Sequence, residues 1–102
     1  MEEQKREFKG IWIIKDIWLS ENLSVIEKMM LAEIDSFEKA KGCFASNRYF
    51  AEFFKMSSRR VTQIVSSLET KGYIHTSFNY IGETKGIKSR TIKINWRKLL
   101  KN

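Results

Sequence analysis

The amino-acid sequence predicts an α+β domain in which three main helices precede a C-terminal β-hairpin. Apolar residues recur at helical spacing in three stretches between Asn22 and Lys71, and beyond Gly72 the period changes to the alternation of strands. Charge adds a third observation. Residues 1–54 hold eight Lys or Arg against ten Asp or Glu, whereas residues 55–102 hold eleven against two, so a net −2 gives way to +9. A chain of 102 residues makes one domain, and a 42% hydrophobic content is ample for its core. The polarity predicts a positive face that begins at the third main helix and runs to the C-terminus. Such a face suits nucleic acid, an acidic protein or anionic lipid, so charge alone does not choose among them.

Met1 to Glu7 is charged and is expected to be a flexible N-terminus. In Phe8 to Leu19, FKGIWIIKDIWL, a short strand over Lys9–Ile14 and a helical turn over Lys15–Leu19 are expected. Trp12 and Trp18 fit a platform on which unpaired bases stack, and also a dimer contact. Core packing is the stronger expectation, because aromatic bulk is what a small core is made from. No apolar run approaches about 18 residues, the N-terminus lacks the apolar centre of a signal peptide, and a lone cysteine fits a reducing compartment. A soluble intracellular protein is expected, with no membrane partner.

Ser24, followed three residues later by Glu27, is a reciprocal helix cap. Leu23, Ile26, Met30, Ile34 and Phe37 then mark one face of a helix that should run to about Lys41 and stop at Gly42. Glu33, Asp35, Glu38 and Lys39 mark the other face, which is expected to be solvated. Gly42 to Ala45 reads as a brief extended segment, with Cys43 a small buried hydrophobe lacking any ligand cluster.

Ser46 caps a short helix, NRYFAEFFKM, whose apolar side is Tyr49, Phe50, Phe53 and Phe54. Only Lys55 and Met56 separate it from Ser57, the cap of the next helix. So tight a turn needs a left-handed residue near Lys55, at a strain of about 1 kcal/mol for a residue with a Cβ. In the second helix Val61, Ile64, Val65 and Leu68 fall within an arc of roughly 100°, and Gly72 ends it. Arg59, Gln63, Ser66 and Thr70 face the opposite way, flanked by Arg60, Thr62 and Ser67, with no carboxylate before Glu69. An ordinary amphipathic surface helix accounts for that pattern alone. Two short helices joined by a tight turn, the second with arginines, glutamine and short hydroxyls outward, form a helix-turn-helix.

Beyond Gly72, Ile74, Thr76, Phe78 and Tyr80 share one side of a strand, and Ile92, Ile94 and Trp96 one side of another. Between them IGETKGIKSR, with Gly82 and Gly86, suits a hairpin turn. Lys85, Lys88, Arg90, Lys93 and Arg97 make the second limb basic. Lysines of this kind also keep an edge strand from aggregating. After a helix-turn-helix, the stronger reading is a wing lying on phosphates. The predicted architecture is therefore a winged helix-turn-helix over residues 8–97, followed by a C-terminal tail, 98–102.

The stretch GCFASNRYFAEFFKMSSRRVTQIVSSLETKGYI resembles the N-terminal winged-helix domain of phage and plasmid replication initiators, or replisome organisers, of Gram-positive bacteria. FKGIWIIKDIWLSENLSVIEK is similar to the segment that precedes that motif in the same proteins. Lys55–Met56 stands where the family often has glycine and leucine, and Ile14 where proline is common. The resemblance implies a bacterial, cytoplasmic protein that binds a replication origin. It also implies a replicative helicase or loader as partner, recruited through residues C-terminal to such a domain.

The combined reading is sequence-specific binding of double-stranded DNA, with a recognition helix over 58–71 in the major groove and a wing over 73–96 on the backbone. Arg59, Thr62, Gln63 and Ser66 are the candidates for base edges. Ser46, Asn47, Arg48, Ser57, Ser58, Arg60, Lys85, Lys88 and Arg90 are the candidates for phosphates. A homodimer or higher oligomer on repeated sites would raise affinity through effective concentration. A transcription regulator would use the same surface, and a protein-interaction winged helix would turn it towards an acidic partner. Catalysis finds no support: the C-terminal half has two carboxylates at unrelated positions, and His75, the only histidine, lacks a partner in sequence for zinc or a nucleophile. GETKG has neither the spacing nor the following helix of a phosphate loop. No cofactor or metal is expected.

Overall fold

Ser24 and Glu27 form the predicted cap: the Ser24 amide donates to Glu27 Oε1 at 2.8 Å and the Glu27 amide to Ser24 Oγ at 3.3 Å. From this cap runs α2, Val25–Ala40, preceded by the single turn α1, Lys15–Trp18. The computed structural model describes residues 10–40, 42–79 and 89–100. The expected flexible residues 1–7, the helix end at Lys41 and the hairpin turn with Tyr80, Lys85 and Lys88 lie outside them.

The next two helices follow their serines. Ser46 Oγ accepts from the Tyr49 amide at 3.1 Å and opens α3, Asn47–Phe54; Ser57 Oγ accepts from the Arg60 amide at 3.0 Å and opens α4, Ser58–Thr70. Between them Lys55 adopts φ 57°, ψ 51°, the left-handed conformation that the tight turn requires. Gly72, at φ 87°, ends α4, and the Tyr73 amide donates to the Leu68 carbonyl at 2.9 Å.

Strands β1, Ile74–Asn79, and β2, Ser89–Ile94, pair antiparallel with Ile74 opposite Ile94, Thr76 opposite Ile92 and Phe78 opposite Arg90. Cys43 bridges the other edge of β2, where the Ile92 amide donates to its carbonyl at 2.9 Å. Burial pushes the Cys43 thiol up to about 11, so it stays a neutral core group. One core gathers residues from every element, among them Ile17, Ile34, Phe50, Leu68, Ile92 and Leu99. The fold is a winged helix-turn-helix, as predicted.

Four local expectations are corrected. No strand forms in residues 10–14, because the edge beside β2 is taken by Cys43. Trp12 and Trp18 are 78% and 50% exposed rather than packed, since Ile17 fills the core from this segment. The Lys28 ammonium instead lies 5.0 Å from the Trp18 ring. Trp96 does not continue the strand. Asn95 caps a further helix, α5, Trp96–Leu100, which replaces a tail over its span and sends Leu99 into the core.

The fourth correction concerns α2. Met30 to Asp35 are all buried, Glu33 and Asp35 included, so the charged side of α2 is no solvated face. Tyr49 Oη donates to Glu33 Oε2 at 2.6 Å. Glu38 accepts from the Ile94 amide at 3.0 Å and from Trp96 Nε1 at 3.1 Å. The physical reason is placement: the Tyr49 side chain reaches across from α3 to Glu33, and the foot of the wing meets Glu38.

Candidate nucleic-acid interface

The inner face of α4 is shut. Val61, Ile64, Val65 and Leu68 are buried, and burial of one such face leaves the helix a single orientation. Arg59, Thr62, Gln63 and Ser66, the base-edge candidates, are all exposed on the opposite side. Ser57, Ser58 and Arg60 are exposed at its N-terminal end. The structure thus brings six of the sequence-predicted residues onto one helix, outward, with a seventh, Ser57, as its cap.

The rear of α4 is fixed by a cluster that sequence reasoning missed. Ser67 Oγ donates to Glu27 Oε2 at 2.6 Å, and Lys71 Nζ donates to Glu27 Oε1 and to the Asn22 carbonyl, both at 2.9 Å. Burial opposes ionisation of Glu27, but hydrogen bonds from Ser67, the Ser24 amide and Lys71 outweigh it and hold the carboxyl at about 2. The signal was half visible: Glu27 was legible as a cap, while its grip on a residue 40 positions away was not.

The phosphate candidates sit in unlike places. Ser46 and Asn47 begin α3, and Asn47 Nδ2 donates to Thr62 Oγ1 at 3.1 Å, joining the two helices of the motif. Arg48 is exposed and pairs with Glu52 one turn on, at 3.3 Å, a surface contact worth a few tenths of a kcal/mol, roughly. Arg90 is part-buried: its Nε donates to the Ala45 carbonyl at 3.0 Å, and burial pulls its pKa below the usual guanidinium value. It therefore ties the N-terminal end of β2 to the segment that leads into α3. Lys85 and Lys88 lie outside the described residues. His75 and Lys93, opposite one another on the wing, are both exposed and add to its outer surface.

Among the described residues, no group of three or more His, Cys, Asp or Glu is placed to hold a metal ion. Among them, too, no helix is long and apolar enough to cross a membrane.

A helix-turn-helix presents its second helix to the major groove of double-stranded DNA, and α3 and α4 have that arrangement. No curated protein and no solved structure matches the chain at a significant level. A family model described as a helix-turn-helix domain matches residues 21–74, from the turn before α2 to the first residue of β1. That span is more than half of the 102 residues, and the protein belongs to the helix-turn-helix domain family.

Proposed function

We infer that this domain binds double-stranded DNA with base selectivity, α4 lying in the major groove and the wing against the backbone. The observation that carries the reading is the division of α4: four apolar residues buried on one side, and Arg59, Thr62, Gln63 and Ser66 exposed on the other. Arginine and glutamine match the paired acceptor and donor groups on purine edges, and the hydroxyls allow close approach. The net +9 of residues 55–102 supplies the attraction to phosphates. Resemblance to phage and plasmid initiators points to a replication origin as the target.

Salt-titrated binding to duplex DNA tests the first part. Each neutralised phosphate should contribute a slope of about −0.9 on a log–log plot. Lys88→Ala should weaken all sequences alike and flatten that slope by about one unit. Selection of bound fragments from a random duplex pool tests the second part. The origin reading expects the selected site to recur as repeats at an origin, and scattered promoter sites would favour transcriptional regulation instead. Binding that does not respond to salt would turn the reading towards an acidic protein partner.

A further inference from the structure

Thr62 is exposed on the outer face of α4, yet its hydroxyl is committed within the protein. Oγ1 donates to the Ser58 carbonyl one turn back at 3.0 Å, and it accepts from Asn47 Nδ2 at 3.1 Å. A hydroxyl has one proton and two lone pairs. The proton and one lone pair are therefore used, and the oxygen is turned back against its own helix. What remains for a ligand is one lone pair and the γ-methyl group.

A side chain in that state cannot donate to O6 or N7 of guanine, or to N7 of adenine; it can accept through its one lone pair from the amino group of adenine or cytosine, or offer its methyl. The one apolar feature of the major-groove edge is the C5-methyl of thymine. We propose that Thr62 is a specificity-determining residue that selects thymine through its methyl group, with Asn47 as the positioning residue that holds the hydroxyl back. This rests on the DNA reading given above. Asn47 Oδ1 is buried and has no hydrogen-bond partner among the described residues. The amide is aimed by its bond to Thr62, and in this role Asn47 serves the recognition helix rather than a phosphate.

Two substitutions separate the groups: Thr62→Val keeps a methyl and loses the hydroxyl, while Thr62→Ser does the reverse. The test uses the full chain and the duplex site obtained by selection, with each thymine replaced in turn by deoxyuridine, which removes the C5-methyl alone. At one position the replacement should weaken wild-type binding about fourfold, the factor for one buried methyl group. Thr62→Val should show the same loss and Thr62→Ser none. Asn47→Ala should relax discrimination at that position in the wild type and change nothing there in a Thr62→Val background. A site in which no thymine methyl matters would overturn the proposal, using wild-type protein alone. So would a serine variant that stays methyl-sensitive or a valine variant that does not. A wild type that captures no duplex at low salt is a different failure, and it removes the DNA reading itself.

Discussion

Helices α2 and α4 carry the same kind of sequence, an apolar stripe with polar residues opposite, and put it to opposite use. In α4 the polar side is open: Arg59, Thr62, Gln63 and Ser66 are exposed. In α2 the polar side is closed: Glu33 and Asp35 are buried, and Glu38 bonds to the wing. The difference lies in neighbours, since α4 is covered on one side and α2 on several. A charged helical face shows where hydrogen-bonding groups are, and the rest of the chain decides whether water or protein meets them.

If α2's carboxylates act inward, the largest effect should come from removing one. Glu38→Ala orphans the Ile94 amide and the Trp96 indole N–H. It should lower stability by about 2–6 kcal/mol in a denaturant titration, from two unsatisfied donors at about 1–3 each. A loss under 1 kcal/mol would place Glu38 among solvated groups after all.

Next comes Glu27, where the two helices meet. Its carboxyl titrates at about 2 in the folded chain against an ordinary 4.5. A depressed folded value contributes stability that is complete above pH 4.5 and is lost as pH falls towards 2. That contribution is about 3 kcal/mol. Thermal melts across this range should show the acid limb, and Glu27→Gln should flatten it while lowering the melting temperature at neutral pH.

Arg59→Ala should do the converse of Glu38→Ala. On the selected DNA site it should cost about 1–3 kcal/mol and relax preference at one base pair, with the melting temperature unchanged. Unchanged binding would mean that the outward side of α4 is not the docking side. The smallest effect belongs to the turn before it. Lys55→Gly removes a Cβ from a left-handed residue and should raise stability by about 1 kcal/mol.

What the sequence disclosed was decided within four residues. Ser24, Ser46 and Ser57 cap helices whose first turn lies beside them, and the strain at Lys55 follows from the shortness of its turn. The alternation that located β1 and β2 is equally local. What it hid depends on distance: Glu38 meets partners 56 and 58 residues on, and Glu27 meets Ser67 40 residues on. Trp12 and Trp18 were expected inside on size alone. Which aromatics a core admits depends on how much volume Ile17, Phe50 and Tyr73 already occupy. The outward side of α4 was legible because its four-residue inner stripe leaves one choice, whereas the internal commitment of Thr62 was not, since Asn47 belongs to another helix.

The attachments of α4 have a mechanical consequence. Asn47 grips Thr62 near the front, and Glu27 grips Ser67 and Lys71 at the back, so the cylinder is pinned at two points and cannot roll about its long axis. The azimuth of each outward side chain is therefore set before any contact is made. Any mismatch of curvature must then be absorbed by the rotamers of Arg59 and Gln63, or by bending of the duplex itself.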